Sequence, residues 1–221
     1  MKKTIIVAGN IGVGKSTLVS MLGERLGWQP FYESVAENPY LADFYADMPG
    51  WAFHSQVFFL TERLSLQRRL IDHPASVIQD RSMYEDAEIF ARNLYLQGLM
   101  NERDYLTYQS LYHALTAFLP APDLVIYLRA QAGTLRRRIL QRGREYERDI
   151  RADYLEQLND LYRAWIDAFT GCPVLTVPAD DLDFVNRPGH FELIARKVEE
   201  KLTGKEEVIF SPEEVEGDGQ S

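Results

Sequence analysis

A glycine-rich stretch that follows a short apolar run is the feature that most restricts how this chain can fold. Residues 9–17 read GNIGVGKST, and Gly9–Ser16 fits the pattern G-x-x-x-x-G-K-[S/T]. The preceding letters TIIVA have the β-branched character of a buried strand, and residues 15–26 have the pattern of a helix. A loop of this type between a strand and a helix predicts a phosphate-binding turn in an α/β protein.

The residue types in this loop suit a chain of phosphates. Glycines allow the backbone N–H groups to turn inward, and the helix that follows adds the positive end of its dipole. The ammonium of Lys15 suits the outer phosphates, and the hydroxyl of Ser16 suits Mg²⁺. A purely structural turn is the alternative. The predicted ATP-binding residues of the loop are Gly9, Asn10, Gly12, Gly14, Lys15, Ser16 and Thr17.

The rest of the chain alternates short β-rich runs with long helical patterns. The strand candidates after the first are QPFYES, SVIQD, DLVIYLRA and CPVLTV. This alternation predicts a five-stranded parallel sheet with helices on both faces, the three-layer α/β/α architecture of P-loop NTPases. We expect one domain over residues 1–203. Residues 204–221 contain six acidic residues and one lysine, and we expect this tail to be disordered.

Composition narrows the class of protein. The net charge of −9 argues against general affinity for nucleic acid, whose phosphates attract Lys and Arg. The single Cys172 excludes an intrachain disulfide and suits a reducing compartment. The sequence has no apolar stretch of membrane-spanning length. The apolar run near its start is too short for a signal peptide. We therefore expect a cytoplasmic protein that does not associate with membranes.

The loop alone does not say what is done with the nucleotide. A GTPase needs D-x-x-G after a strand and N-K-x-D for guanine; DMPG at 47–50 follows a helical pattern, and N-K-x-D does not occur. Motor and transporter ATPases usually devote far more chain to coupling elements. A small-molecule kinase remains, which needs a second acid for the metal, a base or orienting group for the attacking hydroxyl, and cations around the transferred phosphoryl group.

Two further segments supply such groups. A buried strand ends with Asp80 and Arg81, where a metal-organising carboxylate would lie, although a strand-end salt bridge is the alternative. An arginine-rich helix end contains Arg138, Arg142 and Arg144, and we interpret residues 138–151 as a lid that closes over phosphates. A solvated basic face would give the same pattern.

Several stretches in fixed order resemble the deoxynucleoside kinases, the group of deoxycytidine, deoxyguanosine and deoxyadenosine kinases. They are GNIGVGKST, FYESVAENPYLADFY, FHSQVFFLTER, DRSMYEDAEIF, RGREYE and DYLEQLN. The resemblance runs from about residue 3 to residue 202 and is greatest to the bacterial deoxyadenosine/deoxyguanosine kinases. It implies transfer of the γ-phosphoryl group of MgATP to the 5′-hydroxyl of a deoxyribonucleoside.

The resemblance also implies roles for single residues. Glu33 would accept the proton of the 5′-hydroxyl, and Arg81 would hold that oxygen and the phosphoryl group. Asp80, with Ser16, would organise Mg²⁺. Tyr45 would contact the sugar 3′-hydroxyl, as would Asp153, which stands where animal enzymes have a glutamate. The catalytic set is Glu33, Arg81 and Lys15.

Base recognition would fall to Gln56, Arg63, Asp86 and Phe90. Gln56 and Arg63 are two helical turns apart, and Asp86 and Phe90 are one turn apart, so each pair shares a helix face. Amide, guanidinium and carboxylate groups match the polar edges of bases, and an aromatic ring stacks on them. Taken alone, these residues would be read as core or solvated surface. The resemblance favours purines, with deoxycytidine as a further possibility.

Other readings and partners remain open from sequence. A thymidylate-kinase-like nucleoside monophosphate kinase has the same fold, but a carboxylate at position 33 would repel an acceptor phosphate. A silent nucleotide-binding protein is the non-enzymatic alternative. The resemblance implies that residues 178–184 close over the base of the donor, ATP or another nucleoside triphosphate. It also implies a dimer, either of identical subunits or with a related chain.

Overall fold

A computed structural model describes residues 2–32, 38–144, 147–148, 150–205 and 208–217. Contacts divide the chain into two compact units. The P-loop unit comprises Met1–Tyr32, Ala75–Arg81 and Pro122–Ser221, and the helical unit comprises Glu33–Pro74 and Ser82–Ala121.

The strands all belong to the P-loop unit. They are β1 (Thr4–Gly9), β2 (Gln29–Phe31), β3 (Val77–Asp80), β4 (Leu124–Arg129) and β5 (Val174–Pro178). The helices in chain order are α1 (Lys15–Leu26), α2 (Leu41–Ala46), α3 (Met48–Asp72), α4 (Met83–Glu85), α5 (Arg92–Leu96), α6 (Glu102–Thr116), α7 (Ala132–Arg142), α8 (Ala152–Ala168), α9 (Pro188–Leu202) and α10 (Pro212–Gly217). A π-helical turn, Asp86–Ala91, joins α4 to α5.

The strands form one sheet in the order β2-β3-β1-β4-β5, and every pairing is parallel. Alternating side chains point to opposite faces of such a sheet. On one face Ile126 and its neighbours join a buried core with residues of α1 and α9. On the other face Tyr127 stacks on Tyr162 of α8, with ring centroids 5.9 Å apart. The predicted parallel α/β sheet with helices on both faces is confirmed.

The central strand β1 is in register with a strand on each side, which aligns the carboxyl ends of the three strands. Val7 is in register with Asp80 on β3 and with Ile126 on β4. The carboxyl ends of these strands therefore lie along one edge, which is where ligands of open parallel sheets bind. The strand predicted as QPFYES is shorter than expected and ends at Phe31.

The helical unit is built around α3, whose first turn is capped by Asp47. Leu60 of α3 packs with Ala87 and with two tyrosines of α6, Tyr108 and Tyr112. Residues 83–97 have the sequence pattern of a single helix, but the structure contains the π-helical turn there, which hydrophobic periodicity does not reveal. Such turns occur often at functional sites.

Residues 204–221 were expected to form a disordered tail. Over residues 208–217 the structure differs from this expectation. Val208, Phe210 and Val215 pack against the core of the P-loop unit, and α10 forms there. Glu214 accepts a hydrogen bond from Lys197 at 2.8 Å. The acidic composition of the tail did not predict this contact, because the positively charged partner, Lys197, lies on α9. Among the described residues, no helix is both long and apolar enough to cross a membrane.

Candidate active site

The glycine-rich loop lines a cavity of 630 Å³ in the P-loop unit, together with residues of α7 and of the loop 180–186. Gly12 has a φ of 80°, and a Cβ there would lie 2.6 Å from Cγ1 of Ile139. Gly14 has a φ of 108°, and a Cβ there would approach the ring of Phe184 to 3.1 Å. Only glycine combines this backbone with such close neighbours.

Lys15 and Asn10 fix the shape of the loop. The Nζ of Lys15 donates to the carbonyl oxygens of Gly9, at 2.8 Å, and Asn10, at 3.1 Å. The buried Asn10 side chain donates to the carbonyl of Leu155 and to Oδ1 of Asn159, each at 2.9 Å. Asn159 in turn donates to the carbonyl of Ala130 at 2.9 Å. The side chain of Asn10 thus ties the loop to α8, a role that the sequence did not indicate.

Ser16 and Asp80 lie together, as predicted for a metal site. The Ser16 hydroxyl donates to Oδ2 of Asp80 at 2.5 Å, and Asp80 is 3% exposed. Its other oxygen, Oδ1, is buried and has no hydrogen-bond partner within the described part of the chain. A hydroxyl and an uncompensated carboxylate fit Mg²⁺, which binds few protein groups and keeps phosphate and water ligands. No cluster of three or more His, Cys, Asp or Glu ligands occurs among the described residues.

Arg81 adopts a left-handed backbone, with a φ of 63°. Among the described residues other than glycine it is the one with this conformation. Its N–H donates to the carbonyl of Val7 at 3.1 Å, which holds it at the end of β3. Such a backbone costs a non-glycine residue roughly 1–2 kcal/mol and is found most often at functional sites.

The three arginines predicted for the lid divide into one that contacts backbone carbonyls and two that share a carboxylate. Arg138 donates to the carbonyls of Val13, at 3.0 Å, and Ala179, at 2.7 Å. Burial lowers the pKa of Arg138 below its ordinary value. Arg142 and Arg144 both pair with Glu147. All three arginines line the cavity.

The loop after β5 also lines this cavity, and no role was predicted for its individual residues. Asp180 accepts from the backbone N–H of Gln131 at 3.0 Å, which caps α7. Asp183 accepts from the side chain of Asn186 at 2.9 Å, and this bond lowers the pKa of Asp183. Acidic residues in a loop gave no signal that could separate these contacts from a solvated surface.

In the helical unit, Arg63 and Asp86 form a buried ion pair. The Nε of Arg63 lies 2.9 Å from Oδ2 of Asp86, and the two side chains are 5% and 4% exposed. Gln56, also buried, lies two turns before Arg63 on α3. Phe90 is half-buried in the π-helical turn that carries Asp86. The structure thus brings two of the four predicted base-binding residues into direct contact.

The predicted sugar contacts are less enclosed. Tyr45 on α2 is 62% exposed and lies beside Phe44. Asp153, in the first turn of α8, is exposed and pairs with Arg151 at 2.8 Å, an interaction that lowers the pKa of Asp153. Glu33 lies outside the described residues.

Comparison with known proteins decides the family. The family model described as deoxynucleoside kinase matches residues 5–203. The chain belongs to the deoxynucleoside kinase family. It is 42% identical over 196 residues to the deoxyadenosine/deoxycytidine kinase of Bacillus subtilis, covering 88% of this chain and 90% of the relative. It is 36% identical to the deoxyguanosine kinase of the same organism, covering 90% and 97%.

A solved structure of a deoxyadenosine kinase supports the same family assignment. The deoxyadenosine kinase of M. mycoides with dCMP and a flexible dCDP bound as products is similar with a TM-score of 0.77 and 33% identity. The match covers 89% of this chain and 98% of that one. This deoxynucleoside kinase is thus an ATP-dependent phosphotransferase, as the sequence predicted.

Proposed function

We propose that this deoxynucleoside kinase transfers the γ-phosphoryl group of MgATP to the 5′-hydroxyl of a purine deoxyribonucleoside, with deoxycytidine as a further substrate. The two relatives from Bacillus subtilis are named as kinases of deoxyadenosine and deoxycytidine and of deoxyguanosine. The buried Arg63–Asp86 pair carries the proposal for base recognition.

The reasoning from that pair is electrostatic. Burying two charges costs desolvation energy, which is repaid only when the geometry of the pair is good. Removing one partner of a buried pair typically costs about 3–5 kcal/mol. Together Arg63 and Asp86 are neutral, and they offer both N–H donors and carboxylate acceptors. A nucleobase is likewise uncharged and has donors and acceptors on its edges. Gln56 adds an amide, which can pair with adenine N6 and N7, and Phe90 would supply stacking.

The phosphates would be held by the loop amides and Lys15. Mg²⁺, when bound to Ser16 and Asp80, would neutralise charge on the phosphate oxygens. Arg81, with Arg138, Arg142 and Arg144, would stabilise the charge of the phosphoryl group during transfer. Because Arg138 contacts loop carbonyls, its contribution would come through its remaining N–H groups.

Acceptor chemistry would be the task of Glu33, which would orient the 5′-hydroxyl and accept its proton. Tyr45 and Asp153 would bind the 3′-hydroxyl. Tyr45 in that position would crowd a 2′-hydroxyl, so we expect ribonucleosides to react poorly. Equal rates with adenosine and deoxyadenosine would contradict that placement of Tyr45.

Base recognition is tested by steady-state kinetics with deoxyadenosine, deoxyguanosine, deoxycytidine and thymidine in the presence of MgATP. We expect the two purines to have the highest kcat/KM. Arg63→Gln should lower kcat/KM by about 10²-fold or more, because the buried ion pair with Asp86 is lost and a charged donor to the base is removed. The matched control is Arg68→Gln, an exposed arginine on the same helix, which should change kcat/KM by less than about twofold. A thymidine-only enzyme would refute this base site.

The role of Glu33 is tested by Glu33→Gln, which keeps the size of the side chain. We expect kcat to fall by about 10²-fold or more with little change in nucleoside affinity. Glu24→Gln, an exposed glutamate of α1, is the control and should behave like the wild type. A fall in kcat below about threefold for Glu33→Gln would remove Glu33 from the chemistry.

The remaining expectations concern assembly and location. We propose a cytoplasmic dimer, formed by identical subunits or with a related chain, that takes ATP or another nucleoside triphosphate as donor. Light scattering of the purified chain tests self-association, and a monomer at micromolar concentration would leave only the heterodimer. Kinetics with MgATP and MgGTP test the donor.

A further inference from the structure

A buried histidine outside the residues considered so far contacts the loop after β5. This loop lines the cavity at the glycine-rich loop, which is called the donor cavity below. His190 lies in the first turn of α9 and is 1% exposed. Its Nδ1 accepts a hydrogen bond from the backbone N–H of Asp183 at 2.9 Å. Since a backbone N–H can only donate, Nδ1 must carry the lone pair. The imidazole is therefore neutral, with its proton on Nε2.

The segment that His190 holds is the part of the loop nearest the glycine-rich turn. Asp183 continues into Phe184, whose ring would lie 3.1 Å from a Cβ on Gly14. Asp183 also accepts from the backbone N–H of Asn186 at 3.1 Å, which tightens the turn after Phe184. Asp183, Phe184 and Asn186 all line the cavity.

The start of the same loop is fixed independently. The N–H of Ala179 donates to the carbonyl of Arg129 at 2.8 Å, and its carbonyl accepts from Arg138. His190 therefore supplies the second of two anchors, at the end where the loop meets Gly14. The Nε2 of His190 is buried and has no hydrogen-bond partner within the described residues. The Asp183 contact is thus the polar contact that the imidazole makes there.

We propose that His190 is a positioning residue for the phosphoryl donor, and that its Nδ1 holds Asp183 and Phe184 in the conformation that ATP needs. The inference rests on the proposed function in one respect, that this cavity receives ATP. The competing explanation is that His190 only fills the core beneath α9. The two differ in which substrate is affected when the acceptor nitrogen is removed.

The test compares three variants by kinetics and by equilibrium binding of a fluorescent ATP analogue. His190→Leu removes the acceptor, so the half-buried Asp183 N–H loses this hydrogen bond; we expect KM for ATP and the analogue Kd to rise about tenfold. KM for the deoxynucleoside should change by less than about twofold, as should kcat at saturating ATP. His190→Asn places an oxygen near the position of Nδ1 and should restore ATP affinity to within about threefold.

A third variant keeps the inference testable if His190→Leu does not fold. His190→Gln carries the same amide one bond farther from the backbone, so its oxygen misses the Asp183 N–H, and its ATP affinity should fall as expected for leucine. ATP affinity equal to the wild type in His190→Leu or His190→Gln would overturn the inference, as would equal losses in the asparagine and glutamine variants.

A separate control distinguishes this outcome from failure of the donor cavity itself. Lys15→Ala should lose ATP affinity in the same binding assay. Wild-type affinity in Lys15→Ala would refute the proposed donor cavity and with it the role of His190. Loss in Lys15→Ala together with wild-type affinity in His190→Leu would refute the role of His190 alone.

Discussion

Two buried carboxylates, one in each unit of the chain, differ in what compensates their charge. Asp86 of the helical unit pairs with Arg63 at 2.9 Å. Asp80 of the P-loop unit accepts from the Ser16 hydroxyl, and its Oδ1 has no hydrogen-bond partner in the described part of the chain. An uncompensated buried charge is costly, so a cationic ligand is the natural complement of Asp80. The neutral Arg63–Asp86 pair suits an uncharged ligand instead.

The largest effect should follow from neutralising Asp80. Asp80→Asn keeps the shape of the side chain but removes the charge that would attract Mg²⁺, so we expect kcat/KM to fall by roughly 10³-fold. The free energy of unfolding without nucleotide should stay the same or rise by about 1 kcal/mol, because a buried charge is lost. Steady-state kinetics and urea unfolding measure the two quantities. A variant with wild-type activity would break the comparison.

The opposite change in stability should follow at Asp86. Asp86→Asn removes the carboxylate that lies 2.9 Å from the buried guanidinium of Arg63, and we expect the free energy of unfolding to fall by about 3 kcal/mol. Urea unfolding beside Asp80→Asn gives the difference directly. The comparison fails if both variants shift stability in the same direction by the same amount.

These contacts also mark how far the sequence could predict the molecule. The glycine loop, the strands and the parallel sheet were predictable because contiguous residues carry their patterns. Ser16 and Asp80 could be placed at one edge because parallel strands end there. The hydrogen bonds of Asn10 to Leu155 and of His190 to Asp183 were not predictable, because no local pattern specifies which distant partner a polar side chain meets.

The π-helical turn and the C-terminal helix were missed for different reasons. Periodicity over 83–97 reports a helix but does not distinguish a π turn from an α turn. The tail was judged by its charge, whereas Phe210 and Val215 pack on the core. For the proposed base site, only the resemblance to a family distinguished Arg63 and Asp86 from ordinary surface or core residues.

A smaller effect concerns the backbone next to Asp80. Arg81→Ala and Arg81→Gly remove the same guanidinium, and both should lose activity by about 10³-fold. Because Arg81 has a φ of 63°, glycine should be the more stable replacement by about 1 kcal/mol. Thermal and urea unfolding of the two variants test this order. Greater stability of the alanine variant would show that the left-handed backbone is not retained.

The smallest effect concerns a third carboxylate, on the surface. Hydrogen bonds from Lys197 and Ser211 lower the pKa of Glu214 to about 2, against about 4.5 without these contacts. A depressed pKa stabilises the folded state above pH 4.5, and this contribution should be lost as the pH falls from 4.5 towards 2. Unfolding midpoints between pH 5 and pH 3, set at roughly half-unit steps, should fall less steeply in Glu214→Gln than in the wild type. Glu213→Gln, at an exposed neighbour, should follow the wild type.

The most direct test of the central claim is calorimetric titration of ATP with and without Mg²⁺. In the wild type and in folded Asp86→Asn, we expect Mg²⁺ to tighten ATP binding, because both retain the uncompensated carboxylate at position 80. In Asp80→Asn this Mg²⁺-dependent gain should disappear. A gain of wild-type size in Asp80→Asn would contradict the account, since the charge that distinguishes the two carboxylates would then have no part in binding the cation.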